Sequence, residues 1–143
     1  IKSNNFFEYA KIFDNYYGTL KEPVLKFLSL GNDVLFDIDI QGGYQIAEKL
    51  PGAVLVFILP PDMETLEARL RGRQSDADDE IERRLAVARA EIEGALNYTH
   101  WVVNDDLERA LSELRSILVS ARERLVHKVA ISKRILGPGF QAV

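Results

Sequence analysis

The chain has 143 residues, 47% hydrophobic and 28% charged, which suits one globular domain with a real core rather than a disordered or fibrous chain. A net charge of -4 and a pI near 5.2 argue against a general nucleic-acid binder. The lack of cysteine excludes disulfides, thiolate metal sites and a cysteine nucleophile, and two histidines are too few for a histidine-rich metal site.

Phe6-Phe7-Glu8-Tyr9-Ala10 and Ile12-Phe13 form an aromatic-rich opening, followed by Asp14 to Thr19, which reads as a turn with two tyrosines. Thr19 is placed to cap a following helix, with Pro23 in its first turn, Val24, Phe27 and Leu28 on its apolar face and Gly31 at its end. Val34-Leu35-Phe36 leads into Asp37-Ile38-Asp39, apolar on both sides, which predicts a central buried strand. Gly42 to Leu50 predicts a short helix stopped by Pro51-Gly52. Ala53 to Leu59 predicts a second buried strand closed by Pro60-Pro61, and this longest apolar run is far too short to span a membrane.

Asp62 then caps a helix bearing Met63, Leu66 and Leu70. Gln74 to Asp79 is a polar loop, and Ile81, Leu85, Ala88 and Ile92 recur at helical spacing from about Asp78 to Asn97. His100 to Asn104 predicts a third strand. Asp105-Asp106 open a helix carrying Leu107, Leu111, Leu114, Leu118 and Ala121, and a mixed tail runs from Val126. Strands alternating with helices predict a parallel sheet built from βαβ units. Three strands are few for so many helices, and the chain begins at Ile1 rather than Met, so a further strand is expected upstream.

Period-two alternation puts Asp37 and Asp39 on one face, at a strand end where open α/β sheets bind ligands. Buried carboxylates there would need a magnesium–phosphate group or an amine-bearing base, whereas water-facing acids would only cap the next helix. Arg69 and Arg73 are four apart on one helix face, with Arg84 across the polar loop. A planar guanidinium fork suits phosphate oxygens, but Glu67, Glu80 and Glu82 are equally available as surface partners. Tyr16 and Tyr17 offer either packing or hydroxyls, and one of them should point outward. His100 reads as structural.

Seven segments stand in order and register from Phe6 to about Arg124: Glu8-Tyr9-Ala10, Asn15-Tyr16-Tyr17-Gly18-Thr19, Asp37-Ile38-Asp39-Ile40-Gln41-Gly42, Phe57-Ile58-Leu59-Pro60-Pro61, Arg69-Leu70-Arg71-Gly72-Arg73, Arg83-Arg84-Leu85 and Val103-Asn104-Asp105-Asp106. Together they resemble guanylate kinase. The resemblance implies an α/β fold of the P-loop nucleoside monophosphate kinase type, a parallel sheet flanked by helices with a GMP-binding subdomain and a lid. It divides the chain into residues 1–31, the end of that subdomain, and 32–143, the remaining core with the lid at about 72–88. The implied activity is transfer of the γ-phosphoryl group of ATP to GMP, with magnesium, in the cytoplasm, without nucleic acid or membrane partners, and with homo-oligomerisation open.

By position, the resemblance implies that Glu8 reads the guanine N–H edge with the Thr19 hydroxyl beside it. Tyr17 and the backbone near Gly18 meet the GMP phosphate, and Asp37 takes the guanine amino side. Asp39 lies near the magnesium and phosphates without a direct protein-held metal set. Arg69, Arg73 and Arg84 hold the transferring phosphoryl group, Arg73 also on the ATP side, and Asn104 meets adenine.

Two departures accompany the resemblance. The phosphate-binding loop G-x-x-x-x-G-K-S/T occurs nowhere in these residues, nor do the family's arginines upstream of the GMP site. Both are expected before Ile1, and the 143 residues alone are therefore expected to lack kinase activity. Gln74 also stands where the family commonly has glycine. A non-catalytic guanylate-kinase-like interaction module is the competing reading, but such modules tend to lose ATP-site residues that Asp39, the arginines and Asn104 represent here. A kinase for another nucleotide is disfavoured by Glu8 and Asp37, because carboxylates accept from guanine's N1–H and amino group and adenine offers no such match.

Overall fold

Phe6–Ile12 (β1) and Asn15–Leu20 (β2) form an antiparallel hairpin in the computed structural model, which describes residues 5–12, 15–72, 77–124, 134–135 and 137. The expected turn with two tyrosines is thus a strand. Its register opposes Glu8 to Thr19, Tyr9 to Gly18 and Ala10 to Tyr17, with a bulge between Phe6 and Glu8. Neither strand alternates cleanly in sequence, and hairpin pairing is non-local information. Gly18 is required by the pairing itself, since a Cβ there would lie 2.5 Å from the Glu8 carbonyl oxygen and 2.8 Å from the Tyr9 Cβ.

The chain divides into two compact units, Ile1–Leu55 and Val56–Val143. In the first, Lys21–Ser29 (α1) follows the hairpin. Leu20, not Thr19, is its N-cap, without a side-chain cap bond. Gly31 ends the helix at φ 80°, its N–H bonding to the Leu28 carbonyl while the Asn32 N–H bonds to that of Phe27, the paired closure that favours glycine. Of the expected apolar face only Val24 is buried; Phe27 and Leu28 are exposed.

Ile40–Lys49 (α2) is the helix expected after the acidic pair. The segment 33–39 before it is not a strand. A strand needs a ladder partner, and among the described residues none pairs with it. Its alternation survives nonetheless. Val34, Phe36 and Ile38 pack against the buried cluster of Phe7, Val24 and Ile46, while Asp37 and Asp39 are exposed and Leu35 is 95% exposed. Burying each of the three cluster residues contributes about 1.5–3 kcal/mol.

In the second unit, Val56–Leu59 (β3) pairs in parallel with His100–Val103 (β4), Phe57 opposite Trp101 and Ile58 opposite Val102. β3 is shorter than expected and half-buried rather than buried, with Ile58 exposed. Between the two strands come Met63–Gly72 (α3), Asp78–Gly94 (α4) and a 3-10 turn, Ala95–Asn97, close to the expected helices. Leu70, Ile81 and Leu85 form the buried cluster, with Met63 and Leu66 against it. Leu107–Arg122 (α5) completes the unit, capped by Asp106, whose Oδ1 accepts from the Arg109 N–H at 2.9 Å. Its inward side carries Ala110, Leu111 and Leu114, whereas Leu107 and Leu118 are exposed. Arg73, Gln74 and nearly all of the tail after Val126 lie outside the described residues.

Candidate functional site

Glu8 is the one buried charged side chain among the described residues, 6% exposed. The Thr19 hydroxyl donates to its Oε1 at 2.6 Å across the hairpin. The register explains the pair: opposed residues on antiparallel strands present side chains to the same face. Tyr17, two residues before Thr19 on β2, shares that face by the same period. Thr19, expected as a helix cap, is therefore committed to the carboxylate instead. Tyr16 and Tyr17 are both exposed, at 59% and 58%, so neither packs as a core aromatic.

Asp37 and Asp39 share the exposed side of the segment leading into α2. They are not buried carboxylates, because the missing ladder leaves that side open. Asp39 is the N-cap of α2, its Oδ1 accepting from the Gly42 N–H at 2.8 Å. A Cβ at Gly42 would approach Ile38 within 3.2 Å and Asp39 Oδ1 within 3.4 Å, so the glycine lets the acidic segment turn tightly into the helix. An open hollow of about 850 Å³ beside α1, lined by Leu20, Lys21, Glu22 and Leu25 among others, includes none of Glu8, Thr19, Asp37 or Asp39.

Sequence reasoning did not single out Gln45 and Lys49, four apart on α2. The Gln45 side chain accepts from the Tyr9 N–H at 3.2 Å and donates to the Tyr9 carbonyl at 3.1 Å; the Lys49 ammonium donates to the Phe7 carbonyl at 2.6 Å. The four-residue spacing put both on one helix face, but nothing local marks that face as the one meeting β1.

In the second unit Arg71 and Arg83 both meet carboxylates. Arg71 pairs with Glu67 at 2.8 Å, Asp78 at 2.6 Å and Glu82 at 4.0 Å, joining α3 to α4, and Arg83 binds both carboxylate oxygens of Glu80. Hydrogen bonding to Glu67 and then Asp78 holds the Arg71 guanidinium above its usual range, and Glu80 does the same for Arg83. Glu67 and Glu82 thus meet Arg71, and Glu80 meets Arg83. Arg69 is exposed and donates through Nη1 to the Asn104 carbonyl at 2.8 Å. Asn104 directly follows β4 and is held by its own N–H to the Leu59 carbonyl at 2.7 Å. Arg84 is half-buried on α4, at a shallow hollow of about 330 Å³ that Leu66, Leu70 and Val87 also line. Asp62 accepts from the Thr65 N–H at 2.6 Å, and bonding from Thr65 lowers its carboxyl below the usual range. Among the described residues no three His, Cys, Asp or Glu side chains cluster as a metal-binding set.

The family model described as "Guanylate kinase" matches residues 1–121. The chain belongs to the guanylate kinase family. It is 48% identical over 124 residues to a guanylate kinase of Rickettsia conorii, a match covering 87% of this chain and 54% of that protein. It is 46% identical over 140 residues to a guanylate kinase of Myxococcus xanthus, covering 97% of this chain and 66% of the relative. Its structure resembles the crystal structure of guanylate kinase from Anaplasma phagocytophilum, with a TM-score of 0.69 and 27% identity, covering 86% of this chain and 59% of that one. The chain spans between half and two thirds of the length of these guanylate kinases. The fold is accordingly the α/β fold of this family, with β3 and β4 as its parallel pair.

Proposed function

We propose that the protein is a guanylate kinase in activity as well as family, transferring the γ-phosphoryl group of ATP to GMP and giving ADP and GDP. The observation that carries this reading is the buried Glu8 carboxylate with the Thr19 hydroxyl on one oxygen. A carboxylate accepts only, and a buried one is costly unless it meets donors. Guanine presents adjacent N1–H and amino donors, and Glu8 has an oxygen beyond the one Thr19 engages. Asp37, exposed beside Asp39, takes the amino side, and Tyr17 with the Gly18 backbone takes the GMP phosphate.

Arg69, Arg73 and Arg84 supply positive charge to the transferring phosphoryl group, and Asn104 meets the adenine of ATP. Phosphoryl transfer needs such positioning and charge more than a nucleophilic side chain. Residues 72–88 act as the lid, and residues 1–31 belong to the GMP-binding subdomain. Magnesium enters with ATP. It is a hard cation that keeps water and phosphate ligands and needs few carboxylates, which fits the exposed Asp39 nearby. Asp39, whose Oδ1 caps α2, would lie near it.

The test has two arms. Calorimetry on the 143-residue chain should detect weak GMP binding, and a coupled assay with ATP, GMP and magnesium should show turnover by the full-length protein and none by the 143 residues alone, which contain no phosphate-binding loop. A full-length protein that is folded yet inactive on GMP would sink the reading. Turnover by the 143 residues near the full-length rate would sink the expected need for that loop.

A further inference from the structure

The outer edge of β1 is where the structure says more than the family does. β2 occupies one side of β1, so the backbone groups of Phe7 and Tyr9 that face away from β2 need other partners. Both find them on α2. The Gln45 amide takes the N–H and the carbonyl of Tyr9 together, as a neighbouring strand would, and the Lys49 ammonium takes the Phe7 carbonyl. Phe7 and Tyr9 are the residues on either side of Glu8. At its other end α2 begins at Asp39, which caps it, two residues after Asp37. One rigid ten-residue helix therefore ties the buried carboxylate to the acidic pair.

We propose that Gln45 is a positioning residue that sets where Glu8 stands relative to Asp37, and so determines how well the site separates guanine from adenine. The proposal rests on the reading of Glu8 and Asp37 as guanine-binding groups. Gln45 itself touches no substrate. Its amide fixes the peptide units on both sides of the Tyr9 Cα at once, which a hydrophobic contact would leave free to slide along the strand. Lys49 holds the other flank through one bond, with a second, longer approach to the Phe6 carbonyl at 3.5 Å. A flexible four-carbon stem constrains direction less than a planar amide.

The experiment is steady-state kinetics of the full-length protein with GMP and with AMP, on Gln45→Ala and Gln45→Glu. The glutamate keeps the acceptor for the Tyr9 N–H and loses the donor to the Tyr9 carbonyl, and it serves if the alanine variant folds poorly. The expected result is a KM for GMP raised roughly ten-fold with kcat at saturating GMP within about two-fold, since small displacements of positioning groups have effects of this order. The preference for GMP over AMP should fall by a similar factor, because AMP gains nothing from a well-placed Glu8. Val24→Ala, which loosens the core shared by Phe7 and Ile46 but removes no hydrogen bond of this link, should lower Tm without moving either quantity.

An unchanged KM in both Gln45 variants overturns the proposal. So does a rise that is equal for GMP and AMP, or one that Val24→Ala reproduces, since either would mark Gln45 as a stabilising contact alone. If the wild-type protein neither binds nor phosphorylates GMP, the functional reading fails and the proposal with it. If the wild type uses GMP and the variants match it, only the proposal fails.

Discussion

Glu8 and Arg69 are opposite ways of presenting a charge. Glu8 is 6% exposed on β1, and one of its oxygens is already bonded to the neutral hydroxyl of Thr19 across the hairpin. Arg69 stands exposed on a helix, donating to the Asn104 carbonyl and acting electrostatically on the Asp62 carboxylate. A base edge has a fixed pattern of donors in the ground state, so its acceptor is best immobilised before the ligand arrives. Charge on a phosphoryl group in transit develops only in the transition state, where an exposed, positioned cation contributes most. On the proposed function, the first unit should therefore govern KM and the second kcat.

The largest test of that contrast is Arg69→Ala. In the full-length protein kcat should fall about 100-fold or more, with the KM for GMP changed only a few-fold, the pattern of a lost transition-state donor. A rise in KM for GMP with kcat intact would reverse the assignment. Glu8→Ala should do the converse, weakening GMP use by about 1–3 kcal/mol through KM, the cost of leaving guanine donors unpaired. Kinetics with GMP indistinguishable from wild type would remove Glu8 from the site.

Gly18→Ala sharpens the comparison from the side of stability. The added Cβ meets backbone at 2.5 Å and the Tyr9 Cβ at 2.8 Å, so the hairpin must shift, at about 1–3 kcal/mol by denaturant unfolding, typical of overpacking. Wild-type stability in this variant would contradict the pairing that joins Glu8 to Thr19. The smallest effect is expected at Asp62, where the folded pKa is depressed by Thr65. A depressed carboxylate contributes stability above its unfolded pKa, near 4, and loses it as pH falls through the lower folded value. The wild type should therefore exceed Asp62→Asn in Tm at pH 7, and the gap should narrow below pH about 4. A gap independent of pH would show that the cap acts through shape rather than charge.

Much of the second unit was legible in the residues themselves. Asp62 and Asp106 cap the helices their positions implied, and the periodicity of Ile81 and Leu85 placed α4 to within a few residues, because capping and helical spacing act over four residues or fewer. The motifs also sufficed to name the family, whose model spans residues 1–121. The first unit shows where such reading ends. Phe6 to Leu20 became a hairpin because residues up to fourteen apart pair with one another, which no local pattern states. The run 33–39 kept its alternation yet formed no strand, since a strand is a property of its neighbours. Thr19 was chemically suited to cap a helix, and Asp37 and Asp39 either to lie buried or to face water and cap the next helix. Tertiary structure decided each case, placing Thr19 opposite Glu8, leaving the acids exposed with Asp39 as the cap, and committing Gln45 to the backbone of Tyr9.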